Sequence, residues 1–198
     1  MLKYLVIIGV LIQISGAAVY AYKTVRGVTQ PNRVSWFMWG LSPLIGVAAS
    51  FSQGVRWALL PTFFAGFDPL VIFFLSFINK KGYWKLTIFD YGCGLLSMLA
   101  LILWWITREA NIAIFFAILS DLLAAVPTVV KAWRHPESET YIAYLLAIVS
   151  LLTTFAAVQY KSFAEIAFPI YLIFIDVVLV FSVVSGRWRK TNQIAPVK

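Results

Sequence analysis

An all-α membrane protein, with seven transmembrane helices arranged as two parallel three-helix repeats joined by an inversion helix, is the fold class this sequence predicts. Three observations predict it: the excess of apolar side chains, seven apolar runs long enough to cross a bilayer, and an internal match between the two halves of the chain.

Hydrophobic residues make up 62% of the 198 residues and charged residues only 12%, where a soluble domain carries about a quarter charged. A soluble core of this size cannot hide that much apolar side chain, whereas a bilayer accepts it on the outside of every helix. The net charge of +8 is explained by basic loops gathered on one membrane face. No basic stretch accompanies a soluble nucleic-acid-binding module, so nucleic acid is not an expected partner. Cys93, the single cysteine, can form no internal disulfide and reads as a small packing residue. The first run resembles a secretory signal, with Lys3 before it and SGAA at 15–18, but it is too long for one and has a counterpart later in the chain.

The seven runs are 4–22, 34–52, 57–79, 86–106, 111–131, 140–158 and 164–186. Each is continuous rather than alternating, which favours helices over a membrane barrel. Lys and Arg then set the orientation. Twelve fall on one face (Lys23, Arg26, Arg33, Lys80, Lys81, Lys85, Lys131, Arg134, Arg187, Arg189, Lys190, Lys198) and four on the other (Lys3, Arg56, Arg108, Lys161). The N-terminus is therefore expected outside and the C-terminus in the cytoplasm, in a cell membrane of the plasma or inner type.

Self-comparison divides the chain. Pro31, Ser35, Trp36 and Trp39 match Pro136, Thr140, Tyr141 and Tyr144 in spacing, and Lys23 matches Lys131 with a three-residue loop difference. Downstream, Pro61 precedes Asp68 by seven positions, as Pro169 precedes Asp176. The expected units are 1–79 and 111–187, with 80–110 as the linker helix that restores the orientation of the second unit and 188–198 as a mobile cytoplasmic tail. Parallel repeats are a known transporter plan, with the solute site near the midplane between them.

Pro127-Thr128-Val129-Val130-Lys131, followed by Glu137-Ser138-Glu139-Thr140, resembles the SWEET and PQ-loop superfamily. Thr128 stands where the family has its glutamine, and Val19-Tyr20 replace the Pro-Gln pair in the first unit. The resemblance implies solute transport by rocking of the two units, with proline-bearing helices as hinges.

Asp68, Asp121 and Asp176 lie near the centres of expected spans. A carboxylate there costs about 2.5 kcal/mol or more on insertion scales, so each should face protein, water or a partner. Asp68 and Asp176 are the leading candidates for proton exchange or solute contact; the alternative is a hydrogen bond that packs neighbouring helices. Asp121, whose counterpart is Gln13, stands between the two readings. Three acids lining one cavity would favour an amine or other cationic solute. Pro61, Pro69, Pro127 and Pro169 each remove a backbone donor and bend a span, and are hinge candidates. Trp36, Trp39, Tyr141 and Tyr144 read first as belt or packing aromatics and second as stacking walls. Ser35, Thr140 and Asn111 are expected helix caps, Asp90 and Glu165 acids at helix starts, and His135 part of a solvated charge cluster with Glu137 and Glu139 rather than a metal site.

No catalytic or phosphate-binding motif appears, so an enzyme is not the expected class, and no cofactor is expected. The last span holds no lysine for a retinal chromophore. The expected function is a transporter or facilitator for a small polar solute. The alternatives are a non-transporting receptor or scaffold on the same fold and a PnuC-like vitamin-precursor channel. The number of chains in the assembly stays open, since two units in one chain can enclose their own path.

Overall fold

The computed structural model describes residues 3–78, 84–107 and 109–194. These fold into α1 (Lys3–Val25), α2 (Arg33–Ser52), a 3-10 turn (Trp57–Leu59), α3 (Leu60–Leu75), α4 (Ile88–Thr107), α5 (Ala110–Arg134), a second 3-10 turn (Pro136–Ser138), α6 (Tyr141–Thr154) and α7 (Phe163–Ile194). No strand occurs among the described residues. Among the described residues, five helical segments are long and apolar enough to cross a membrane: α1, α2, α3 with its leading 3-10 turn, α5 and α7. The chain is an all-helical membrane protein.

Large apolar side chains cover the exterior, among them Leu11, Phe67, Phe74, Phe115, Phe174 and Phe181. Polar side chains point inward instead, as a hydrocarbon solvent requires. Helix α3 packs between α1 and α2, and α7 between α5 and α6; α1 also packs on α6, and α2 on α5. Helix α4 lies against α5 and, more lightly, α2.

Hydrophobicity cannot join helices that are already in lipid, so close approach and interhelical hydrogen bonds take over. Helix α5 presents the fully buried Ala113, Ala117, Ala124 and Ala125. Hydroxyls staple the same region: Ser35 Oγ donates to the Ala124 carbonyl at 2.6 Å, Thr128 Oγ1 donates to Ser35 Oγ at 2.9 Å, and Ser42 Oγ donates to Ser120 Oγ at 3.0 Å. Ser97 Oγ ties α4 to the Ser120 carbonyl at 2.9 Å.

Several boundaries differ from expectation. Asn32, not Ser35, caps α2, because its side-chain oxygen accepts the amides of Val34 and Ser35 at 3.1 and 3.3 Å; this leaves Ser35 free to bond α5. Thr140 does hold the capping position of α6, yet its hydroxyl meets Thr29 at 2.9 Å. Glu109 precedes α5, and Asn111 accepts instead from Gln53 Nε2 at 3.0 Å. The sixth apolar run yields a helix of only 14 residues, about 21 Å at 1.5 Å per residue. Its end coincides with Thr153, whose hydroxyl bonds the Ser150 carbonyl at 2.6 Å, and Glu165 then gathers the loop by accepting the amides of Gln159 and Tyr160 at 3.1 and 2.7 Å.

The expected tail is helix as far as Ile194. Arg187 and Arg189 hold it down by donating to the carbonyls of Glu139 and Trp133 at 2.9 and 3.1 Å, and Lys190 pairs with Glu137 at 2.7 Å. Asn79, Lys80, Lys81, Arg108, Pro196 and Lys198 lie outside the described residues.

Gly186 marks the closest backbone approach at this end: a Cβ there would sit 2.8 Å from the Trp133 carbonyl oxygen and 3.1 Å from that of Ala132. Fixed main-chain atoms cannot step aside. Gly186→Ala is expected to cost about 1–3 kcal/mol, read as a lowered midpoint of thermal unfolding in detergent; an unchanged midpoint would mean that α7 does not approach α5 so closely.

Candidate functional site: an acidic cavity beneath a charged clasp

Helical spacing brings the polar residues of six helices onto one void. Trp36 and Trp39 are one turn apart on α2, Asp68 and Ile72 one turn apart on α3, and Ile175, Asp176 and Leu179 form one stripe of α7. Gln13 of α1, Asp121 of α5 and Ala143, Tyr144 and Ala147 of α6 complete the wall. The cavity measures about 80 Å³, room for about two or three waters at roughly 30 Å³ each.

All four polar residues singled out from the sequence, Gln13, Asp68, Asp121 and Asp176, therefore line the same space. Gln13 and Asp121 are 4% and 1% exposed, while Asp68 and Asp176 are half-buried. Tyr171, which the sequence reading missed, donates its hydroxyl to Asp121 Oδ2 at 2.8 Å and so fixes that carboxyl. Asp121 Oδ1, Asp68 Oδ2, Gln13 Oε1 and the indole nitrogens of Trp36 and Trp39 are buried without a hydrogen-bond partner among the described residues. Such atoms are rare in folded proteins because each forfeits its solvation. Here five of them belong to residues lining one cavity.

Of the four repeated aromatics, Trp36, Trp39 and Tyr144 line the cavity, and Tyr141 does not. Tyr141 lies under the Arg187 guanidinium, 5.5 Å from its ring centre. The prolines also separate. Pro69 lines the cavity beside Asp68, and Pro127 and Pro169 interrupt α5 and α7. Pro61 sits in the first turn of α3, where the missing N–H has no helical partner to lose, so it does not break that helix. Pro43, inside α2, was not singled out and belongs with the interrupting group.

A second cluster closes over this cavity at the basic end. The ammonium of Lys131 and Oε1 of Glu139 form an ion pair, both side chains being almost wholly buried. Lys131 also donates to the Gln30 carbonyl at 2.5 Å. Glu139 Oε2 accepts the hydroxyls of Tyr20 and Tyr144 at 2.8 and 2.9 Å. Gln30 N donates to the Ser138 carbonyl at 3.0 Å, so the α1–α2 and α5–α6 connections are bound together. The Tyr20 ring stacks obliquely on Trp36, with centroids 4.4 Å apart, and Tyr144 meets Trp39 edge-on at 6.4 Å.

Tyr144 is the link between cluster and cavity, since its ring lines one and its hydroxyl belongs to the other. The sequence reading took Lys131 as a loop charge and Glu139 as solvated. His135 and Glu137 do remain at the surface, 3.6 Å apart, and no metal-binding group of His, Cys, Asp and Glu occurs among the described residues. Asp90 is likewise buried, accepting from Asn32 Nδ2 and, at 2.6 Å, from Thr87 Oγ1.

No protein-family model matches this chain, and no curated protein or solved structure is significantly similar to it.

Breaking one side of a buried ion pair strands the other charge, at a cost of about 3–5 kcal/mol. Glu139→Gln is expected to lose stability on that scale in detergent unfolding. A double-mutant cycle with Lys131→Met should return a coupling of about 1–3 kcal/mol; simple additivity would mean the two side chains do not meet.

Proposed function

We propose that this chain is a membrane transporter or facilitator for a small polar solute, working by alternating access between two three-helix units. The observation that carries the proposal is the convergence of Gln13, Asp68, Asp121 and Asp176, from four different helices, on one cavity where α1, α2 and α3 face α5, α6 and α7.

The packing supports a doubled architecture. Exchanging α1, α2 and α3 for α5, α6 and α7 turns the α1–α6 contact into the α5–α2 contact and leaves each third helix between its two partners. This is the relation expected of parallel repeats about an axis along the membrane normal, with α4 as the linker that makes the second unit parallel to the first. It supports the seven-span reading and the resemblance to the SWEET and PQ-loop superfamily. With the basic end in the cytoplasm, the Lys131–Glu139 cluster is the cytoplasmic closure, and Pro69, Pro127 and Pro169 are bends at which the units can rock.

A transporter must open the cavity to both sides in turn, whereas a receptor or scaffold on the same fold opens it to one. Single cysteines at Ala65 and Ala147, in a Cys93→Ala background, should react with membrane-impermeant thiol reagents applied to either face of sealed vesicles. Modification from one face alone would overturn the transporter reading in favour of the receptor.

A further inference from the structure

We propose that the solute is a small organic cation: an ammonium compound that also carries a hydroxyl or carbonyl group, bound between the acids and the indoles of the cavity. This rests on reading the cavity as the solute site.

Charge selects the class. Among the described residues, three carboxyl groups line the void, and no lysine, arginine or histidine does. The buried Lys131 is already paired with Glu139, and Arg187 donates to main-chain carbonyls of Pro136 and Glu139. An anionic solute would add charge of the same sign in a setting where unpaired charge is costly. A cation supplies the missing sign.

Hydrogen bonding narrows it. Asp121 Oδ1, Asp68 Oδ2 and Gln13 Oε1 are acceptors without donors, on residues from three helices. An ammonium group is rich in N–H donors and can serve several of them at once. Gln13 and Asp121 are more than nine-tenths buried, so water outside the protein cannot do so. The indole N–H groups of Trp36 and Trp39 are donors without acceptors, which calls for an oxygen on the same solute. The rings of Trp36, Trp39 and Tyr144 offer faces that attract a cation electrostatically. The volume of about 80 Å³ suits a molecule of few heavy atoms, such as an amino alcohol.

The test is a thermal-shift panel on the full chain in detergent. Ethanolamine, which has N–H donors, is compared with propanol, and choline, whose quaternary nitrogen has none and tests charge and ring faces alone, with the alcohol in which a tert-butyl group replaces its trimethylammonium, alongside glucose and acetate. At least one of the two cations should stabilise the parent while its neutral partner does not. Asp121→Asn and Asp176→Asn should each weaken that binding by at least about thirtyfold, and Ala147→Phe, which fills the cavity, should abolish it. The cation and neutral pairs are compared on the parent protein, so the result stands even where a variant fails to fold. Equal effects of cation and neutral partner, a response to glucose or acetate alone, or silence from both cations overturns the cationic class; loss of any such response in Ala147→Phe still keeps the cavity as the site. A response that survives Ala147→Phe overturns the cavity and the class together.

Discussion

The buried pairing of Lys131 with Glu139 is the constraint on which the arrangement depends. Two charges taken out of water gain little net stability from each other, and an apolar pair of the same volume often serves as well. What the pair supplies is register. Its carboxylate collects the hydroxyls of Tyr20 and Tyr144, and its ammonium collects the Gln30 carbonyl, so α1, α5, α6 and the α1–α2 connection have one common arrangement that satisfies all of them. Beneath it, the Tyr20, Trp36, Trp39 and Tyr144 rings are set in mutual contact. The cavity owes part of its wall to that setting.

The solvent explains the rest. In hydrocarbon the outside of the bundle is apolar by requirement, which leaves polar groups to be either satisfied between helices or gathered around a void. Ser35, Ser42, Ser97, Ser120 and Thr128 take the first course and hold α2, α4 and α5 together. Gln13, Asp68, Asp121 and Asp176 take the second. The division between packing and site is thus a division between hydroxyls that find carbonyls and each other, and acids that find mainly open space.

Much of this was legible in the sequence, for identifiable reasons. A carboxylate in a hydrophobic run is conspicuous because its cost in lipid is high, and the equal Pro-to-Asp spacings at Pro61–Asp68 and Pro169–Asp176 single out two of the three acids. Lys131 and Glu139 were not legible, because a charge next to a loop reads as solvated. Only the fold shows that Gln30, Ser138 and Arg187 cover them. The visible signal was the pair of opposite charges flanking one short connection, answered by Tyr20 and Tyr144 inside the adjoining helices. The cap at Asn32 and the extension of α7 past Gly186 escaped for a related reason. Each depends on tertiary partners, Asp90 for the first and the carbonyls of Trp133, Pro136 and Glu139 for the second.

In this account one charged clasp holds two units together over an acidic cavity, and releasing it lets them part at that end. The most direct measurement is the distance between spin labels on Val28 and Glu137, two exposed positions on the connections that the clasp joins. A single short distance is predicted for the parent in lipid, and a second, longer population in folded Glu139→Gln. An identical distribution in both proteins would contradict the account, because the bonds that the pair makes to Tyr20 and Gln30 would then not be what keeps the units closed.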